Sequence, residues 1–208
     1  MRFANVLGFA TAITAAAVPN GKTAVSPDGY VYNVVDESLY IPDTITLEDG
    51  TTTTVLVHPA FKRGVAGTTP NDKLDKRLTW NSGGSADKCG ASTFVNMSSS
   101  GSPKTTDCVL IRKHYQTSGG FFTAWDWDLN GSNWCRLVIT NTCVFGIKSN
   151  NGLGVEVGAL DIHDLTKDAI NMFKTSGSPS RIGAEGNMGC STNLPGGTPS
   201  VNWAIFHS

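Results

Sequence analysis

Four residues that could do acid–base or metal chemistry stand close together in the chain: Asp161, His163, Asp164 and Asp168. An imidazole titrates near neutral pH, and carboxylates beside it could relay a proton or hold a cation. Asp164 and Asp168 lie one helical turn apart and share a face. The same residues have a plainer use at a helix start. There an aspartate satisfies free N–H groups and sits against the positive end of the helix dipole. The capping reading is the one favoured, because it needs no partner from elsewhere in the chain. A second arrangement is Trp125-Asp126-Trp127-Asp128. On a strand the tryptophans share one face and the aspartates the other. The pair could stack on sugar rings or fill the core, and core is favoured because aromatic side chains dominate small cores. The chain has no Gly-x-Ser-x-Gly elbow, His-Glu-x-x-His helix, phosphate loop or dinucleotide fingerprint. No catalytic, cofactor-binding or metal-binding residue is therefore assigned.

The five cysteines are Cys89, Cys108, Cys135, Cys143 and Cys190, all in the last 120 residues. An odd number leaves one outside any two intrachain bridges, and four cysteines allow three connectivities. Zinc is disfavoured, since no Cys-x-x-Cys occurs. A reactive thiol paired with His114, His163 or His207 is conceivable. Structural disulfides are the expected use, because the first residues read as an export signal to an oxidising compartment.

That signal comprises Arg2, the apolar run Leu7 to Val18, and the small residues Ala15-Ala16-Ala17, with cleavage expected after Ala17. The run is too short to span a bilayer, which takes about 20 residues. Asn71 to Arg77 is polar, and its Lys76-Arg77 pair fits a dibasic processing site in an exposed segment. The resulting plan is a signal peptide at 1–17, a pro-segment or irregular N-terminal extension at 18–77, and a compact domain at 78–208. The domain carries nine basic and nine acidic residues and is formally neutral. It lacks the basic face of a nucleic-acid binder or of a protein held on anionic lipid. No nucleic acid is expected as a partner, membrane contact is left open, and a monomer is expected. Asn96-Met97-Ser98 and Asn130-Gly131-Ser132 are glycosylation sequons in expected turns.

The elements that would position these residues follow from pattern. Tyr30 to Val35 and Thr52 to Val57 have strand composition, with an Asp49-Gly50 turn ahead of the second. That segment could form a hairpin but holds few apolar residues. Trp80 to Asp87 reads as a loop, and Gly90 to Val95 as a short strand or turn. Ser102 as N-cap and Pro103 at the first helical position predict a helix to about Gln116. Cys108, Ile111 and Tyr115 lie on its inner face, and Arg112 and Lys113 point outward. Strands are expected at 121–127, 135–139, 143–147, 181–188 and 201–206. A turn spans 148–154. A second helix starts with Asp161 as N-cap and carries an apolar stripe of Ile162, Leu165, Ala169, Met172 and Phe173.

Several short motifs in order carry a family resemblance. They are Lys88-Cys89-Gly90-Ala91-Ser92-Thr93-Phe94, Asp107-Cys108, Cys143-Val144-Phe145-Gly146, the stretch Val157 to Phe173, Arg181 to Cys190, and Val201-Asn202-Trp203-Ala204-Ile205. Together they resemble the fungal "putative necrosis-inducing factor" domain, a family of small secreted effectors, over about Cys89 to Phe206. The resemblance implies an α+β fold like that of α/β killer toxins: an antiparallel sheet with two helices packed on one face, stapled by disulfides. It implies that Cys89, Cys108, Cys143 and Cys190 are the bridging cysteines and that Cys135 is the one left over. It transfers no catalytic residues. It implies a non-enzymatic protein acting outside the cell on a host protein or cell-surface target and associated with necrosis. A killer-type antimicrobial toxin and a small extracellular hydrolase using the Asp161–Asp168 cluster are the competing readings.

Overall fold

The structure, a computed structural model, describes residues 23–33, 40–61, 78–125, 134–149, 154–192, 194–195 and 197–208. Thirteen strands and two long helices are described. The N-terminal strands are β1 (Thr23–Val25), β2 (Val31–Asn33), β3 (Ile41–Thr46) and β4 (Thr52–Val57). Then come β5 (Leu78–Asn81), β6 (Cys89–Ser92), β7 (Val95–Asn96) and helix α1 (Thr105–Gln116). They are followed by β8 (Phe121–Ala124), β9 (Cys135–Thr140), β10 (Cys143–Ser149) and β11 (Val155–Gly158). Helix α2 (Ala159–Phe173), β12 (Ala184–Thr192) and β13 (Ser200–His207) complete the chain. The molecule is α+β and mostly antiparallel sheet.

Strands β1 and β2 pair with each other, and the rest form one sheet in the order β3-β4-β9-β10-β13-β12-β11-β8-β5, with β6 and β7 also along β12. Every pairing in it is antiparallel. The central strands are apolar on both faces, as sheet positions covered on both sides require. Val201, Trp203, Ala204, Ile205 and Phe206 of β13 are all buried, and so is every residue of β9. Strands β9 and β10 form a tight hairpin with Thr140 opposite Cys143, and Asn141 at its tip has a φ of 45°. Asparagine tolerates this left-handed backbone better than most residues.

Several elements depart from the sequence pattern. Trp80 lies on a strand rather than in a loop: β5 pairs with β8, placing Trp80 opposite Phe122. Helix α1 starts at Thr105, not at Pro103, with Lys104 as its N-cap residue. The Ser102 hydroxyl is drawn into the preceding turn, where Ser99 N–H donates to it at 2.9 Å. The Pro103 carbonyl accepts from Ile182 N–H, which holds that stretch extended. Cys108, Ile111 and Tyr115 are buried, but Arg112 and Lys113 are half-buried rather than outward. Helix α2 starts two residues ahead of Asp161, directly after β11, a strand the pattern does not show. Ile162, Leu165 and Ala169 are buried, whereas Met172 is 51% exposed. Strand β12 runs from Ala184 to Thr192, later than the expected 181–188.

The N-terminal segment forms the hairpin β3–β4 around Asp49-Gly50 and joins the sheet through Leu56 opposite Ile139 and Val57 opposite Val138. Val55, Val57, Ala60 and Phe61 are buried in the main core. The Phe61 ring lies 4.5 Å from Trp80 and 6.4 Å from Phe122, centroid to centroid. Burying one such ring contributes about 1.5–3 kcal/mol. The expected cleavage positions Ala17, Lys76 and Arg77 lie outside the described residues.

Replacing Phe61 by Ala removes a ring at the meeting point of β5, β8 and α1. A loss of about 3–5 kcal/mol in unfolding free energy is expected, measured by urea denaturation of the full chain. A loss below about 1 kcal/mol would contradict the packing described.

Candidate functional site

The loop before β6 approaches the start of α2 so closely that a side chain at Gly158 would collide with the Ala86 carbonyl oxygen. Leu160 N–H donates to that same carbonyl at 2.9 Å. Asp161 occupies the third position of the helix, not the N-cap. Its side chain turns back over the helix start. One carboxylate oxygen accepts from Gly158 N–H at 2.7 Å and Lys88 N–H at 3.1 Å, and the other from Cys89 N–H at 3.2 Å. A single buried carboxylate thus satisfies donors from two segments about seventy residues apart in sequence. Burial is the larger influence on its acidity and pushes its pKa up to about 6, against the pull of the three N–H groups.

Beside this carboxylate Cys89 is bonded to Cys190, directly opposite it in the ladder. Lys88 pairs with Glu156 at 2.9 Å and lies 3.9 Å above the Phe121 ring. An open hollow of about 460 Å³ borders the bridge, lined by Lys88, Gly90, Gly189, Ser191, Thr192 and Thr198 among others.

The other helix also has an aspartate near its start, one whose carboxylate binds a distant turn. Asp107 is the third residue of α1 and is buried. Its carboxylate accepts from Asn141 Nδ2 at 3.2 Å, Thr142 N–H at 3.2 Å and the Thr142 hydroxyl at 2.5 Å. Its own carbonyl accepts from the Thr140 hydroxyl at 2.7 Å. Next to it Cys108 is bonded to Cys143. Of three possible connectivities the fold therefore uses 89–190 and 108–143, and the buried Cys135 takes part in neither.

The four residues Asp161, His163, Asp164 and Asp168 do not converge as a set; only His163 Nε2 and Asp164 Oδ1 approach each other, at 3.9 Å. Asp161 points inward to the loop before β6. His163 Nδ1 lies 2.9 Å from the Arg112 carbonyl, tying α2 to α1. Asp164 is exposed and near Lys167, at 3.8 Å, and Asp168 is exposed. Among the described residues no three of His, Cys, Asp and Glu come together as a metal site would require. Trp125 directly follows β8 and is half-buried, and Asp126, Trp127, Asp128 and Asn130 lie outside the described residues. Asn96 is exposed on β7, its side-chain oxygen accepting from Ser98 N–H at 2.9 Å. The role of Asp107 was not read from the sequence; its place at the start of an amphipathic helix, beside a cysteine, is the signal that could have shown it.

The model of the Hce2 family, described as "Pathogen effector; putative necrosis-inducing factor", matches residues 88–190. That segment is just under half of the chain and resembles this effector family. The match begins at Lys88 and ends at Cys190, so it encloses both disulfides and both long helices. The chain is also similar to a Penicillium expansum protein named "Probable chitinase LysM18", 26% identical over 122 residues. That match covers 57% of this chain and 8% of the relative's length.

Asp161 gives a pH signature. Its folded pKa is raised above the unfolded value of about 3.9, so its contribution to stability is fully present below about pH 4 and is lost as pH rises through 6. Urea unfolding of wild type and Asp161→Asn between pH 4 and 7 should show the wild type furthest ahead at the acid end. An advantage that grows with pH would contradict the raised pKa.

Proposed function

We propose that this protein is an exported effector that acts by presenting a rigid surface to a host protein or cell-surface target, not by catalysis, and that target engagement leads to necrosis. The observation that carries this reading is where the reactive residue types are used. Asp161, Asp107 and His163 bind backbone atoms that join helices to loops or to each other; the 108–143 bridge staples the Asp107 joint, and the 89–190 bridge ties the segment held by Asp161 to β12. The chemistry available to the domain is spent on shape. Two disulfides support export, since such bonds persist in oxidising compartments. No helix among the described residues is long and apolar enough to cross a membrane. The similarity to a chitinase-named protein involves a small fraction of that protein, so polysaccharide turnover is treated as an outcome of the test.

The test is infiltration of the purified protein into leaf tissue. Asp164→Asn and Asp168→Asn, both at exposed positions, should leave the necrotic response within about twofold of wild type, whereas reduction of the disulfides should abolish it. Turnover of chitin or another polymer that is lost in Asp164→Asn would overturn the proposal. So would growth inhibition of other fungi with no response in the leaf, which is the behaviour of a killer-type toxin.

A further inference from the structure

We infer that residues 23–33 and 40–61 belong to a docked arm that is held by non-covalent contacts and stays bound to the rest of the fold when the chain between Phe61 and Leu78 is cut. The inference rests on the packing and is independent of the function proposed above. All five cysteines lie at or beyond Cys89, so no disulfide reaches the arm.

The arm follows the outer edge of β9 and the neighbouring aromatic layer. Val31 accepts from Trp134 N–H at 3.2 Å, and His58 N–H donates to the Leu137 carbonyl at 2.9 Å. The Tyr40 hydroxyl donates to the Arg136 carbonyl at 2.8 Å. Strand β4 then pairs with Val138 and Ile139. These contacts use the β9 edge that would otherwise stand open to any passing strand. The Tyr30 ring stacks on Phe206 at 5.0 Å and meets Trp134 edge-on at 5.8 Å. Asp28 accepts from His207 N–H at 2.9 Å. Near the other end of the arm, Glu48 pairs with Lys113 of α1 at 3.2 Å. Phe61 is wedged among Trp80, His114, Tyr115 and Phe122.

A segment whose side chains lie in the main core cannot leave without opening that core to water, and it exposes its own apolar surface as it goes. Cleavage at the expected Lys76-Arg77 pair would therefore nick the protein and not strip the arm from it. The surface available to a partner is then the one that includes the arm.

The experiment uses the full chain with a specific protease site inserted after Ala66. After complete cutting, native size-exclusion chromatography and native mass spectrometry should find the two pieces as a one-to-one complex that separates only in denaturant. In the cut protein Phe61→Ala should raise the dissociation constant at least about tenfold. Tyr40→Phe, which removes one hydroxyl, should fold in any case and weaken binding by about threefold to tenfold. Elution of the arm on its own from the cut wild type would overturn the inference, whether or not the remainder stays folded. A complex unaffected by either substitution would also overturn it, because the contacts named would not be the ones that hold the arm.

Discussion

Each of the two long helices described has a buried aspartate at its third position, and each aspartate binds a distant segment that also carries a bridged cysteine. Asp161 holds the amides of Lys88 and Cys89 beside the 89–190 bridge. Asp107 holds the Asn141–Thr142 turn beside the 108–143 bridge. A disulfide limits how far two segments can part and contributes about 2–4 kcal/mol, mainly by restricting the unfolded chain. It does not fix orientation. The carboxylates supply that, because each accepts several donors, and Asp161 also satisfies the start of its own helix. Where the helices sit on the sheet depends on these two joints.

The folding unit is larger than the segment the family model matches. Residues 88–190 leave out β13, yet β13 lies between β10 and β12 with its apolar side chains wholly buried. They also leave out β5 and the arm, which bring Trp80 and Phe61 to the core. The matched segment therefore holds the joints, and the flanking residues complete the sheet. Surface loops between these elements are free to vary around a fixed frame.

Much of this frame was legible in the sequence. The buried face of α1 was readable from the spacing of Cys108, Ile111 and Tyr115, and the turn at Asp49-Gly50 from its residue types. The helix starts were not, because capping rules see only neighbours in the chain. Ser102 has the right side chain for an N-cap, but its hydroxyl is claimed by Ser99, and the residues after it are held extended against Arg181 and Ile182. Trp80 looked like a loop residue because Asn81 to Gly84 follow it, and only pairing with β8 makes it a strand. The four acid and imidazole residues near 161–168 looked like one cluster in one dimension. Helical geometry sends Asp161 inward and leaves Asp164 and Asp168 in water.

The central claim is that the aspartate joints are part of the cooperative core. Native-state amide hydrogen exchange at Lys88, Cys89, Gly158 and Thr142 tests it most directly. These four N–H groups lie at or beyond the ends of regular elements, where exchange is ordinarily fast. Opening free energies equal to those of the β10 and β13 amides would show that the joints break only when the whole molecule unfolds, as predicted. Exchange as fast as that of the exposed loop amides would contradict it and leave the disulfides alone to hold the frame.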